Sequence, residues 1–327
     1  MKHISILIPQ GAILGSLEGS RQLLTQVNNF FRMRGQEPLF NVQLVGITKE
    51  TPLSGGSFTA NADLLIDEVK QTDLIIIPAV DGDLRIAIEK NKDFLPWIAR
   101  QYQGGAEVAS LCLGAFLLAS TGLLDGKKCA THWLAANDFR KMFPEVELVE
   151  EKIITDEQGI YSSGGAFSYQ NLILYLIGKY AGHEMAIMAA KVFAIEIDRK
   201  SQSPFIMFQG QREHEDETVR KAQAYIEEHF QDKITVDHLS DLLALNRRSL
   251  ERRFKKATSN TVSEYIQRVK IEVAKKDFET TRKNIYEVMF EVGYSDVKAF
   301  RTIFRKTTGL SPVEYRNKYN KEVMVWG

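Results

Sequence analysis

The sequence predicts two domains of different class. Residues 1–193 read as an α/β domain with a doubly wound, mostly parallel sheet; residues 217–320 read as an all-α domain with two helix-turn-helix units. Three observations carry this. Short, β-branched, wholly apolar runs alternate with helical periodicity through the first half, the pattern of right-handed crossovers in a sheet covered on both faces. Periodicity is lost from 194 to 216, which predicts a linker. From 217 onward the chain is helix and tight turn, and a block of it repeats at an offset of 50.

In chain order, "ISILIP" (4–9) suits a strand buried on both faces. Residues 17–34 form a helix with Leu23, Leu24, Val27, Phe30 and Phe31 on one side. "FNVQLVGI" (40–47) and "DLIIIPA" (73–79) are further strands. Residues 86–102 are mostly helical, with Pro96 as a break or a new helix start. "EVASL" (107–111) is a strand, and Gly114–Ala119 opens a helix. After Pro144, short strands lie around "VELVE" and "KIITDEQGIYSS", with a hairpin turn at Asp156–Gly159. Helices follow at 167–180 and 183–193. Within 194–216, Phe205-Ile206-Met207-Phe208 is apolar enough to dock on a domain; residues 321–327 read as a tail.

With 44% apolar and 26% charged residues, the 327-residue chain can bury real cores. Two cysteines, Cys112 and Cys129, exclude a disulfide framework and suit a reducing cytosol. The N-terminal apolar run is too short for a signal peptide, and no window reaches a membrane span. The expectation is therefore a cytoplasmic protein with no membrane partner. Formal net charge is zero, but residues 245–327 hold 19 Lys and Arg against 10 Asp and Glu. A basic block on an acidic body predicts a polyanionic partner for that block; a solvated helical surface is the alternative.

The repeat sets "FKKATSNTVSEY" (254–265) over "FRKTTGLSPVEY" (304–315), and Phe254/Phe304, Lys256/Lys306, Thr258/Thr308, Glu264/Glu314 and Tyr265/Tyr315 coincide. Thr261-x-x-Glu264 and Ser311-Pro312-x-Glu314 are both capping boxes. Each copy has a helix-turn-helix upstream. In the first, Leu239, Leu242 and Leu243 point inward, Asn246 marks the turn, and the second helix runs from about Arg247 to Ala257. Leu250 and Phe254 face the core, which leaves Arg248, Glu251, Arg252 and Lys255 outside. In the second copy Gly293 offers the positive φ of the turn. The helix from about Asp296 to Thr307 turns Phe300 and Phe304 inward and Lys298, Arg301, Thr302 and Arg305 outward. Such faces suit a major groove, where arginine pairs bidentately with guanine and glutamate accepts from cytosine.

Residues 217–320, above all "EVGYSDVKAFRTIFRKTTGLSPVEYR" and the connecting helix with Arg268, resemble the AraC/XylS DNA-binding domain. The resemblance implies two recognition helices in successive major-groove segments of promoter DNA, roughly 34 Å apart.

"SLCLG" (110–114) approximates a nucleophile elbow with serine for the first glycine. A helix starting near Gly114 would aim its N-terminus at the Cys112 sulfur and lower its pKa, with His132 the histidine to meet it. "CLGAFLLASTGLLDGKKCATHW" (112–133) and "MFPEVELVEEKIITDEQGIYSSGGAFS" (142–168) resemble the PfpI-type branch of the class I glutamine amidotransferase-like superfamily. The whole chain is similar to GlxA-type regulators, which join such a domain to an AraC-type one. The resemblance implies a flavodoxin-like core, a homodimer, and a pocket around Cys112, Leu113 and His132 walled by Gly164 and Gly165.

The sequence departs from the enzymatic relatives. The acidic residue of the first strand–helix loop aligns with Ser16, with Glu18 two residues away; Leu113 replaces histidine; "PAVDGD" lacks a glycine pair for an oxyanion site; and there is no late His-x-Glu pair. Three readings of Cys112 stand: nucleophile, ligand-pocket or redox-sensing residue, and buried small apolar residue. His132 is a structural hydrogen-bonder or a proton carrier, and Cys129 is core. The spacing of Cys112, Cys129 and His132 fits no zinc pattern, so neither metal nor cofactor is expected. The leading expectation is a transcription regulator binding promoter DNA, an unknown small-molecule effector and, at the promoter, RNA polymerase. The alternatives are a cysteine-dependent amidase, hydratase or peptidase that also binds DNA, and a DNA-binding protein whose first domain only dimerises.

Overall fold

A computed structural model of the chain describes residues 1–197 and 199–320. It divides into two compact domains, Met1–Gln202 and Ser203 onward, with the border inside the segment 194–216. The expected tail, 321–327, lies outside the described residues.

Seven strands of the first domain form one sheet: β1 (Lys2–Leu7), β2 (Phe40–Gly46), β3 (Leu64–Leu65), β4 (Leu74–Ile77), β5 (Glu107–Leu111), β6 (Ile154–Glu157) and β7 (Ile160–Ser163). Their spatial order is β6-β7-β5-β4-β1-β2-β3. The five central strands thus follow the flavodoxin-like order, parallel throughout. β1 places Ile4 opposite Val42 on one side and Leu74 on the other. The antiparallel pair β6–β7 is the expected hairpin, and Gln158 and Gly159 take the positive φ that its two-residue turn requires.

The helices of this domain are α1 (Leu14–Met33), α2 (Leu84–Lys90), α3 (Phe94–Gln103), α4 (Ala115–Ala119), α5 (Ala136–Met142), α6 (Tyr169–Ala181) and α7 (His183–Val192). Strand alternation splits the core into two layers. Ile4, Ile6, Leu74 and Ile76 meet residues of α1, α6 and α7; Leu7, Ile75, Ile77 and Val108 meet residues of α2 to α5. Burial on both faces is why these strands read as unbroken apolar runs. The stretch expected as one helix over 86–102 is two. Pro96 lies in the first turn of α3, where a missing N–H costs nothing. Asn91, fully buried in the break, donates to the Ala87 and Gln10 carbonyls and accepts from the Gln10 amide. A hairpin of Glu50–Leu53 with Phe58–Asn61 has no counterpart in the sequence reading, because its four-residue strands carry little apolar alternation.

The second domain contains α8 (Glu217–Glu228), α9 (Val236–Leu242), α10 (Arg247–Thr258), α11 (Val262–Thr280), α12 (Ile285–Glu291), α13 (Val297–Thr308) and α14 (Pro312–Tyr319). The repeated block is a structural repeat. Both capping boxes form. Thr258 donates to the Phe254 carbonyl at 2.8 Å and Thr308 to the Phe304 carbonyl at 2.9 Å. Phe254 meets Tyr265 edge-on at 5.2 Å, and Phe304 meets Tyr315 at 5.4 Å. Each tyrosine hydroxyl then donates to a glutamate, Glu227 or Glu279. The turns differ by one residue. The first helix-turn-helix turns through Ala244 at φ 51°, two residues before its cap; the second turns through Gly293 at φ 74°, three before.

One expected core residue faces out. Leu239 is buried, but Leu242 is 51% exposed. Leu239 and Leu243 stand four apart on one face of α9, whereas the three-residue step to Leu242 places it at the margin of a helix that ends there. Within the apolar tetrad at 205–208, Phe208 packs on Tyr265 at 5.1 Å and its amide donates to Glu272, while Phe205 and Met207 stay exposed.

Ser259 closes α10 in the left-handed conformation at φ 57°, where its counterpart closing α13 is Gly309 at φ 75°. A Cβ there costs about 1 kcal/mol that glycine avoids. Ser259→Gly should therefore raise the stability of the second domain by about that amount in urea unfolding of the full chain; no gain, or a loss, refutes the strain.

Candidate functional site

Two places hold the residues that the sequence singles out. The first is the outer face of α10 and α13. Each helix starts on a side-chain cap, Asn246 accepting from the Ser249 amide at 2.8 Å and Asp296 from the Ala299 amide at 2.6 Å. Leu250 and Phe254, like Phe300 and Phe304, are fully buried, so the opposite faces turn outward. Arg248, Glu251, Arg252 and Lys255 on α10, and Lys298, Arg301, Thr302 and Arg305 on α13, are all exposed.

Their partners sort them. Glu251 takes Arg247 at 3.2 Å, and Arg247 also reaches Asp237. Lys255 donates to the Ser259 carbonyl and lies 3.9 Å from Glu264. Thr302 donates its hydroxyl to the Lys298 carbonyl within its own helix. Arg305 sits near Glu314, whose carboxyl is held below its ordinary range, chiefly by the Ser311 amide. Among the described residues, the charged ends of Arg248, Arg252, Lys298 and Arg301 engage no hydrogen bond or ion pair. Spaced at helical intervals of three and four on the two faces, these groups are free to take guanine acceptors or phosphate oxygens. Arg253, on the same basic helix, is engaged within the protein and pairs bidentately with Asp216, the cap of α8. Sequence spacing does not separate it from Arg252.

The second place is the corner after β5. Cys112 sits there in the left-handed region, φ 52°, the strained conformation of a nucleophile elbow. The corner is tight: a Cβ on Gly114 would meet the Pro78 and Ile77 carbonyl oxygens at 2.5 and 2.7 Å. The electrostatics oppose the expected activation. Cys112 is 3% exposed, and burial pushes its thiol up to about 12, against a small opposing effect of the Leu113 amide. The helix expected to lower that pKa spans only Ala115–Ala119, behind a 3₁₀ turn of Cys112–Gly114, and does not outweigh desolvation. Cys129 is likewise buried and pushed up to about 12.

His132 does not hydrogen-bond the sulfur. Its Nδ1 accepts from the Leu134 amide at 3.2 Å, capping a short 3₁₀ turn, and burial lowers its pKa, so it is neutral near pH 7. The neighbour that reaches the corner is Thr131, whose hydroxyl donates to the Cys112 carbonyl at 3.0 Å. Ser16, where the acid would stand, is buried; it donates to the Ile13 carbonyl and accepts from the Ala79 amide. Glu18 is paired with Arg21 at 2.6 Å.

Gly164 is closed in: a Cβ there would meet Gln202 Nε2 at 2.2 Å and the Thr131 carbonyl oxygen at 2.8 Å. Gln202, 2% exposed, escapes the sequence reading, because nothing in "KSQSPF" marks it. Its Nε2 donates to the carbonyls of Thr131 at 2.9 Å and Glu150 at 2.6 Å. Gln202 Oε1 and Ser163 Oγ are buried and have no protein partner among the described residues. Ser163 pairs in register with Leu111, next to Cys112. The thiol at the corner is neutral, and the two buried oxygens, on the neighbouring strand and on Gln202, have no hydrogen-bond partner among the described residues.

A cavity of about 690 Å³ lies elsewhere on the carboxyl edge of the sheet. It is lined by the loop after β1 (Gln10, Gly11), the loop after β4 (Asp81, Gly82, Asp83) and the additional hairpin (Glu50, Thr51, Pro52). Cys112, Leu113, His132, Gly164 and Gly165 do not line it. It opens between β1 and β4, where the strand order reverses, the usual position of a ligand crevice in an open α/β sheet. Among the described residues no cluster of metal-ligating side chains forms, and no helix is long and apolar enough to cross a membrane.

Residues 32–177 match the model of the DJ-1/PfpI family, and residues 239–318 that of a helix-turn-helix domain. The chain is 27% identical over 319 residues to the HTH-type transcriptional regulator GbdR of Pseudomonas aeruginosa, covering 96% of this chain and 84% of that one. It is 22% identical over 312 residues to the HTH-type transcriptional regulator CdhR of the same species, covering 95% and 90%. Among solved structures, an AraC family transcriptional regulator from Pseudomonas putida superposes with a TM-score of 0.51 at 15% identity, over 59% of this chain and 100% of that one.

The thiol makes a direct prediction. At pH 8 a group with its pKa near 12 carries roughly a thousandfold less thiolate than one near 9. Iodoacetamide should label native Cys112 more slowly than the unfolded chain by about that factor, with a rate that climbs beyond pH 10 without a plateau; a plateau below pH 9 would refute the assignment. The sign for stability follows. The folded state holds the proton more tightly, so the contribution is full below about pH 8.5 and is lost as pH rises toward 12.

Proposed function

From a chain that carries a DJ-1/PfpI-family domain followed by an AraC-type helix-turn-helix domain, we infer a sequence-specific transcription regulator whose second domain reads promoter DNA and whose first binds a small-molecule effector. The observation that carries the reading is the pair of like-built recognition helices on α11, each presenting basic side chains without protein partners. Asn246 and Asp296 cap the ends that would enter the groove, and the first turns of both helices carry free cations at Arg248 and Lys298. We assign base-edge contacts to Arg248, Arg252, Lys298 and Arg301, and phosphate contacts to Lys255 and Arg305. Glu251 and Thr302, already engaged within the protein, are secondary contacts.

For the first domain we propose effector binding rather than catalysis. Support comes from the neutral buried thiol, the serine at position 16 and the histidine committed to its own turn, which together lack the base and acid that a cysteine nucleophile requires. The unpartnered oxygens of Ser163 and Gln202, and the crevice between β1 and β4, are the places we assign to an effector. Gln202 is the last residue of the first domain, so a ligand that moves its side chain acts at the start of 203–216. The effector must favour the DNA-competent arrangement over the other, or it shifts nothing. A homodimer, contact with RNA polymerase and a cytoplasmic location complete the proposal.

Arg252→Ala and Arg301→Ala should each weaken binding to a selected site about 10- to 100-fold, with a smaller loss on random DNA. Fluorescence anisotropy with both duplexes at fixed salt reads the difference. Equal losses on all sequences would reassign these residues to phosphate.

A further inference from the structure

The two helix-turn-helix units share more than the helix that links them. Lys270, midway along α11, is only 7% exposed, rare for lysine. Its Nζ donates to the Asp232 carbonyl, in the loop between α8 and α9 of the first unit, at 3.3 Å. It also donates to the Gly293 carbonyl, in the turn of the second unit, at 3.4 Å. The ammonium lies 5.5 Å from the centre of the Tyr294 ring. Gly293 belongs to the same contact: a Cβ on it would meet the Gln231 carbonyl oxygen at 2.1 Å and Lys270 Nζ at 2.7 Å. Phe230, one residue earlier, packs against the cores of both units. Phe230 to Asp232, Lys270, Gly293 and Tyr294 thus form a joint where the loop of one unit bears on the turn of the other.

A single helix fixes the distance between two attachments but transmits small bends and twists as large displacements. α11 has 19 residues, a lever of about 28 Å. A change of one base pair between two half-sites moves the second by about 3.4 Å and rotates it by roughly 35°. Tolerance of that change depends on how freely one unit turns against the other, and the joint restrains that turning. Burying a lysine at two carbonyls is costly unless both bonds form, so the ammonium holds the joint in one arrangement.

We propose that Lys270 is a positioning residue for DNA recognition: by clamping the Asp232 loop to the Gly293 turn, it sets the spacing and phase of the two half-sites that the chain accepts. The proposal rests on the DNA-reading function inferred above. It differs from a purely structural role, which would lower stability and leave spacing preference intact.

The test uses the full chain. Selection from random duplex DNA first yields the wild-type site; failure to select any site would count against the DNA-reading function, not against the joint. Affinity is then measured on that site with the central spacer changed by −2 to +2 base pairs. Wild type should lose at least tenfold per base pair. Lys270→Met keeps the apolar stem and removes the donors; it should flatten the profile to threefold or less, with an unchanged slope of affinity against salt. Lys270→Gln, which retains a donor but falls short of both carbonyls, should do the same and serves if the methionine variant does not fold by circular dichroism. A variant that melts at lower temperature yet keeps the wild-type spacing profile overturns the proposal.

Discussion

α11 presents one face to each helix-turn-helix core. Tyr265 and Val269 belong to the first, and Ile271, Ala274 and Phe278 to the second. Neither unit has more than a small core of its own, and each completes it on this helix. The short helices around it, seven residues in α9 and α12, are below the length at which helices persist alone in water. Their caps hold them, with the packing of α9 on α10 and of α12 on α11. The basic faces of α10 and α13 follow as a consequence: once Leu250, Phe254, Phe300 and Phe304 are drawn inward, the remaining positions have nowhere to go but out.

The first domain rests on a different constraint, the close approach of the β5 corner to the strand beside it. Gly114 allows the Pro78 backbone to pass at a distance that no side chain would permit, and two residues earlier Cys112 takes a left-handed conformation. The geometry of a nucleophile elbow is therefore present without its electrostatics. Desolvation raises the thiol, and the residues at the positions of the acid and the base are engaged elsewhere: Ser16 with Ala79, His132 with Leu134. Thr131 ties the backbone of this corner, its hydroxyl donating to the Cys112 carbonyl, and Gln202 in turn donates to the Thr131 carbonyl.

The two domains meet along the chain at Gln202 and Ser203. On one side, Gln202 is tied to Thr131 and Glu150, beside the Cys112 corner. On the other, the Ile206 carbonyl accepts from Lys275, and the Phe208 amide donates to Glu272, both on α11. The connecting segment is thus tied by hydrogen bonds on each side to its own domain.

The sequence by itself determined the alternation of strand and helix, the sheet-then-bundle division, the two capping boxes, and which side of each recognition helix is apolar. All of these depend on periodicities of two and 3.6 residues and on local caps, so a few neighbours suffice to decide them. Tertiary structure alone decided the rest. Arg252 and Arg253 are adjacent and chemically identical, yet one is free and the other belongs to Asp216, 37 residues away. A helix start beside Cys112 predicts an acidified thiol, yet burial raises it, since desolvation depends on every atom packed around the sulfur. Gln202 and Lys270 carry no signal in the sequence, because hydrogen bonds to backbone carbonyls remote along the chain leave no pattern of residue types. What depends on nearest neighbours could be read along the chain; what depends on which distant groups share a low-dielectric interior required the fold.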